Sequence, residues 1–155
     1  MNLQVLLTSS TAKLPSKAYP TDTGYDLFLD QAVSLEAKPQ ACSTGVKLVI
    51  PEGYWVRFAE KSGKALKGIQ IHGGIIDETY RGELKVIASY HQPPVWKGVH
   101  VGAGQLGYEN YALTAGEAIC QMILEKRNDA DIVQITEEQL TLTDRGANGF
   151  GSTNR

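Results

Sequence analysis

An antiparallel all-β domain, whether sandwich, jelly roll or barrel, is the fold class that this chain predicts. Three observations carry it. Short stretches of period-two apolar patterning recur along the chain. Turn-forming clusters separate them: PSKAYP, KPQ, PEG, KG, HGG and TAGE. Helical periodicity is scarce. In chain order, strands are expected over residues 3–7, 45–50, 54–60, 83–89, 118–124 and 132–135. The run GELKVIAS alternates clearly, with Glu83 and Lys85 facing one way and Leu84 and Val86 the other. SGKALKG reads as one short helix and TEEQL as a turn.

At 155 residues the chain is long enough for one domain with a real core and too short for two. The formal charge is −2, so no basic excess marks a nucleic-acid surface, and none is expected to bind there. Any anion site must be local. Cys42 and Cys120 sit in apolar runs and read as buried free thiols of a reducing compartment, with a single bridge as the alternative. No apolar run approaches the ~20 residues of a membrane span. The start, MNLQVLLTSSTAK, has no basic region before its short apolar run, which argues against a secretory signal. The expected location is the cytoplasm, or the host cytoplasm for a viral protein. Residues 91–110, HQPPVWKGVHVGAGQLGYEN, form a long irregular stretch, a length that is usually functional or disordered. The expected organisation is a domain over residues 1–144 and a mobile glycine-rich lid over residues 145–155.

Five short segments carry chemistry, each with a plain structural reading beside it. In TDTGYD, Gly24 permits a tight turn and Asp26 can hold metal-bound water or cap its own turn. In KSGKALKG, the backbone amides, Ser62 and two lysines suit phosphate oxygens, or form a solvated lysine turn. The GxxxxGK spacing of a Walker loop is absent. In GGIIDETYRGELKV, Asp77 beside an apolar run suits a general base. Gly73 and Gly74 admit a flat ligand close to the backbone, and Tyr80 offers a ring wall. A hairpin with Asp77 capping its turn fits the same residues. In AGEAICQMIL, Gln121 amid apolar neighbours needs a hydrogen-bond partner, which another strand can supply. In the tail RGANGFGSTNR, Arg145 can fork onto phosphate and Phe150 can stack on a base, while the glycines permit opening and closing. Such ends are also often simply disordered.

In this order, GYD, KSGKALK, GGIIDETYRGEL, GEAICQMI and RGANGFGST resemble the five motifs of the trimeric deoxyuridine triphosphate nucleotidohydrolases (dUTPases). The resemblance runs from Leu3 to Thr153. It implies a jelly-roll-like β-barrel that assembles as a homotrimer with shared active sites. One subunit would supply the first, second and fourth segments, another the third, and a third its tail. The implied reaction is hydrolysis of dUTP to dUMP and pyrophosphate, keeping uracil out of DNA and supplying dUMP for thymidylate synthesis.

By the same resemblance Asp77 deprotonates the water that attacks the α-phosphorus. Mg2+ bridges the phosphates, and Asp26 orients one of its waters. Lys61, Ser62, Gly63 and Gln121 contact phosphate oxygens. Arg145 binds the γ-phosphate, with Gly151, Ser152 and Thr153 closing around it. Backbone at Gly74 and Ile75 reads the uracil edge and excludes thymine. Tyr80 presses on the sugar and rejects a 2′-hydroxyl, and Phe150 stacks on uracil.

Several positions depart from the family pattern. Lys61 stands where Arg is usual, so the charge stays and the fork is lost. Lys64 stands at a usually apolar position and is expected to add a second cation. Thr23 replaces a usual Ala. Glu117 and Ala118 stand where Asp and Arg are common, which implies a rewired subunit contact. Residues 91–110 replace a shorter loop, and Trp96, Tyr108 and two prolines there make either a partner surface or a longer solvent loop. The dCTP deaminases share the fold and the trimer, but they lack the RGxxGFGST tail and place a glutamate near the pyrimidine amine.

Overall fold

The computed structural model describes residues 1–91 and 110–148. Eleven strands and one short helix follow in chain order among them. They are β1 (Gln4–Leu7), β2 (Tyr25–Phe28), β3 (Val33–Leu35), β4 (Gln40–Ser43), β5 (Val46–Val49), β6 (Tyr54–Glu60), α1 (Ser62–Ala65), β7 (Ile69–His72), β8 (Ile75–Ile76), β9 (Lys85–Tyr90), β10 (Tyr111–Leu113) and β11 (Ala118–Lys126). A single 3-10 turn covers Glu137–Gln139, where TEEQL predicts one.

The pairing is antiparallel throughout and falls into separate sheets. β2-β11-β6-β8 form one, β4-β9-β7 a second, and β1-β5 and β10-β3 make two-stranded sheets. The all-β jelly-roll-like prediction holds, although the sheets do not close into one continuous barrel. The core lies between the two larger sheets. Val56 and Phe58 of β6, Cys120 and Met122 of β11 and Leu27 of β2 are buried with Ile69, Val86 and Ala88. Period-two patterning explains both faces: in β6, Val56 and Phe58 point in and Arg57 points out. In β9, Val86 and Ala88 point in while Lys85 and Ile87 point out. Each large apolar side chain removed from water here contributes ~1.5–3 kcal/mol.

The expected strands at 3–7, 45–50, 54–60, 83–89 and 118–124 correspond to β1, β5, β6, β9 and β11. The expected strand over 132–135 does not form. Ile132, Val133 and Ile135 are exposed, and a lone strand without a pairing partner does not persist in water. Leu140 and Leu142 are exposed too, so the chain from Lys126 to Asn148 is solvent-facing along its whole length. Both cysteines are free and buried, as expected for structural thiols, and burial pushes both thiols above their usual range.

Two joints fix the ends of β7 and β9. Gly73 and Gly74 turn the chain from β7 into β8 with φ of 66° and 95°, a left-handed pair that favours glycine. At the far end of β9, the Tyr90 ring meets the Tyr111 ring of β10 at 5.2 Å, and the His91 amide donates to the Gly68 carbonyl at 2.9 Å. No helix among the described residues is long and apolar enough to cross a membrane.

Candidate active site

Three of the five segments meet within one chain. β11 lies between β2 and β6, so Gln121 pairs in register with Asp26 on one side and Ala59 on the other. β6 then runs directly into Lys61 and α1. The result is a cluster of Asp26, Gln121, Lys61, Ser62 and Gly63 at one end of the sheet. Lys61 Nζ donates to Asp26 Oδ1. Gln121 lies over Gly24: a Cβ added there would meet Gln121 Cβ at 3.0 Å and Oε1 at 3.2 Å. Gly24 therefore serves by its small size, whereas the sequence suggests a tight turn there. Ser62 and Gly63 are exposed.

α1 is four residues long, buries none of them and has no side-chain cap. Such a helix does not hold itself together. Two ion pairs fix it: Lys61 to Asp26, and Lys64 to Glu117 just before β11. Lys64 above all holds the Glu117 carboxyl below its usual range, against the opposing effect of burial, and the Thr114 amide assists.

The third segment stands elsewhere. β8 pairs with the opposite edge of β6, with Ile75 against Arg57 and Ile76 against Val56. Asp77 follows, so it lies three strands across from Asp26 and about four residues further along. At ~4.8 Å per strand and ~3.3 Å per residue, the two carboxylates are on the order of 20 Å apart. Asp77 is exposed. A cleft of about 230 Å³ opens beside it, lined chiefly by Ile75, Ile76, Tyr80, Glu83 and Ile87. Just before β8, Gly74 packs on β6: its carbonyl accepts from Phe58 N at 2.8 Å, and an added Cβ would touch Phe58 Cβ at 3.0 Å.

Two residues outside the expected site set, Gly82 and Glu83, hold the Tyr80 ring in place. The Tyr80 ring lies across Gly82, so that a Cβ there would come within 2.9 Å of Tyr80 Cε2 and closer still to the hydroxyl. Tyr80 Oη donates to the Glu83 carbonyl at 3.1 Å. Glu83 in turn anchors the segment to the β4–β5 turn, accepting from Ser43 Oγ, from Thr44 N at 3.1 Å and from Gly45 N at 2.9 Å. Burial pushes its carboxyl upward, but these donors outweigh it and leave the group below its usual range. Both residues fall inside RGEL, and only the packing reveals what they do.

Arg145 joins neither cluster. Its Nε donates to the Asn148 carbonyl at 3.1 Å, within a local turn at the end of the exposed arm. Phe150, Gly151, Ser152 and Thr153 lie outside the described residues, as does most of the 91–110 stretch with Trp96 and Tyr108.

A family model described as dUTPase matches residues 10–93. The chain belongs to the dUTPase family. It is 35% identical over 156 residues to the deoxyuridine 5′-triphosphate nucleotidohydrolase of Candida albicans, covering 99% of this chain and 89% of that one. Its fold is similar to the dUTPase of Staphylococcus bacteriophage 80alpha with dUpNHpp, with a TM-score of 0.80, 29% identity and 99% of each chain covered. It is also similar to a point mutant of the dUTPase from phage phi11 of S. aureus, described with a structural Mg(II) ion. That match has a TM-score of 0.72 and 28% identity, and covers 90% of this chain and 100% of that one.

Within this dUTPase the unusual residues at two motif positions turn out to be partners. Lys64 adds no free cation, because Glu117 of the same chain neutralises it. The bond found at Glu117 lies within the chain, to Lys64 of α1.

Proposed function

We propose that this dUTPase hydrolyses dUTP to dUMP and pyrophosphate at sites assembled from several copies of the chain, working as a homotrimer. The observation behind this is the split itself. Asp26, Lys61, Ser62, Gly63 and Gln121 gather at one end of a sheet, and Asp77 with the Tyr80 cleft stands on the order of 20 Å away at the other. Neither half is a complete phosphoryl-transfer site. Two copies bring one half of each together, and the exposed arm carrying Arg145 is free to reach a third.

In this reading Gly74 and Ile75 present backbone to the uracil edge, and the close approach of Gly74 to Phe58 leaves no room to retreat from a thymine methyl. Tyr80 stands against the deoxyribose. Lys61, Ser62, Gly63 and Gln121 contact phosphate oxygens, and Arg145 takes the γ-phosphate, with Phe150, Gly151, Ser152 and Thr153 following it over the nucleotide. The Asp77 carboxylate accepts a proton from water as the water oxygen bonds to the α-phosphorus. The bond from that phosphorus to the bridging oxygen breaks, and pyrophosphate leaves. Such a reaction depends mainly on positioning and on charge compensation.

Mg2+ fits this donor set in one manner only. Among the described residues there is no group of three or more His, Cys, Asp or Glu able to cage a metal. Asp26 alone would suit an ion that keeps most of its waters, and its carboxylate already accepts a hydrogen bond from the Lys61 ammonium. Bound there, Mg2+ would neutralise phosphate charge; Asp26 would hold one of its waters and Lys61 would turn toward phosphate. Sanitising the nucleotide pool against uracil, and supplying dUMP for thymidylate synthesis, would follow from the reaction.

The test is pyrophosphate release with Mg2+ from dUTP, dTTP, dCTP and UTP. Release from dUTP alone is expected, whereas ammonia from dCTP would replace this reading with a deaminase. A substitution probes the sugar wall. Gly82→Ala should push the exposed Tyr80 ring outward and leave the fold intact. The preference for dUTP over UTP, as a ratio of kcat/KM, should fall about tenfold, which is ~1.4 kcal/mol of lost discrimination. An unchanged ratio removes Tyr80 as the 2′-hydroxyl gate.

A further inference from the structure

The sheet does not hold Asp77. β8 ends at Ile76, and the turn that carries Asp77 is closed mainly upon itself. Tyr80 N donates to the Asp77 carbonyl at 3.0 Å, and Arg81 Nη1 donates to the carbonyls of Glu78 at 2.6 Å and Tyr80 at 2.9 Å. These bonds give the turn its shape. They do not fix where it stands relative to the rest of the molecule.

Glu78 does that. Its Oε2 accepts from the Gly53 amide at 2.8 Å and from Arg127 Nη1 at 2.7 Å. Gly53 makes the turn between β5 and β6, and Arg127 follows directly on β11. The Gly53 peptide is gripped from both sides, because its carbonyl accepts from Arg127 N at 2.8 Å. The Arg127 guanidinium is oriented in turn by Asp129, with Nε donating at 2.8 and 3.1 Å. Two segments far apart in sequence, the Gly53 turn and the stretch from Arg127 to Asp129, thus converge on the residue next to Asp77.

We propose that Glu78 and Arg127 are positioning residues that set the placement of Asp77 for water activation. The inference rests on the reading of Asp77 as the general base. Stability does not account for the arrangement. The Arg127 side chain is 47% exposed and that of Glu78 22%, and ion pairs this open to water add little to folding. A general base, by contrast, loses rate steeply when it is misplaced by even ~1 Å. The network also lies at the root of the exposed arm, so it ties the Asp77 turn to the arm's point of departure.

The experiment uses the full chain with Mg2+ and dUTP, comparing Glu78→Ala, Glu78→Gln, Arg127→Ala and the Glu78→Ala/Arg127→Ala double variant. Tm is measured alongside kcat and KM. Glu78→Ala is expected to lower kcat about tenfold, with KM within about twofold and Tm nearly unchanged. Glu78→Gln should recover most of the rate, because its amide oxygen still accepts from Gly53 and Arg127. Arg127→Ala should lose at least about threefold in kcat, and the double variant should be no slower than Glu78→Ala, as partners in one network behave. Wild-type kcat in Glu78→Ala overturns the proposal, and so does a loss confined to KM, or equal losses in Glu78→Ala and Glu78→Gln. Should Glu78→Ala fail to fold, the exposed Arg127→Ala decides alone, by a drop in kcat at constant Tm or by none. An active Asp77→Asn would remove the reading of Asp77 itself. An inactive Asp77→Asn beside a full-speed Glu78→Ala would remove only the positioning role.

Discussion

Asp77→Asn should bind dUTP normally and turn it over about 10³-fold more slowly, the middle of the range for a lost general base. The substitution keeps the size and hydrogen-bonding reach of the side chain and removes its capacity to take a proton. Asp77 is exposed at the head of its own turn, and among the described residues only its backbone carbonyl is engaged, by Tyr80 N at 3.0 Å. The Asn should therefore fit without disturbing the turn. The phosphate contacts proposed for Lys61, Ser62 and Gln121 come from the other end of the sheet and are untouched. Binding of a non-hydrolysable dUTP analogue, measured beside single-turnover rates, separates the two effects. A variant that still turns over at the wild-type rate would exclude Asp77 as the base.

Ending the chain after Asp144 should leave the fold and the oligomer intact while lowering kcat/KM by about 10² to 10⁴. Two contacts set that range. A charged hydrogen-bond donor such as Arg145 on phosphate contributes ~1.5–3 kcal/mol. An aromatic ring stacked on a base contributes ~1–3 kcal/mol. At ~1.4 kcal/mol per tenfold, their sum gives the stated loss. The fold should survive because, among the described residues, Arg145 bonds only within its local turn. The oligomer should survive because the exposed apolar side chains of the arm, Ile132, Val133, Ile135, Leu140 and Leu142, all precede the cut. Sedimentation of the truncated chain checks the assembly and steady-state kinetics the activity. Normal hydrolysis without the last eleven positions, 145–155, would rule out the tail as part of the site.

The sequence discloses the long strands because burial on one face writes a two-residue period into them, as in YWVRFAE of β6. It does not disclose β2, β4 and β7, with four residues each, or β3, β8 and β10, with three, two and three, too few for a period to stand out from the flanking turns. Ile132–Ile135 misleads for the opposite reason: its apolar pattern is real, but no strand of the described sheets pairs with it. The motif residues are legible as a set, while their grouping is not. The neighbour relations of β2, β11 and β6 bring Asp26, Gln121 and Lys61 together and send Asp77 away, and those depend on sheet order. The ties among Lys64, Glu117, Glu78, Gly53 and Arg127 are long-range pairings between single residues, and one sequence holds no signal for them.

The stem formed by Tyr90 and Tyr111 has an evolutionary consequence. The chain leaves the β-structure at one ring and returns at the other, 5.2 Å away, with His91 bonded back to Gly68. The entropy lost in closing a segment between fixed ends rises only with the logarithm of its length, about 0.6 kcal/mol for each doubling. Insertions and replacements between those two tyrosines are thus close to neutral for folding. Selection can diversify residues 92–109 between lineages while the strands that carry the chemistry stay unchanged.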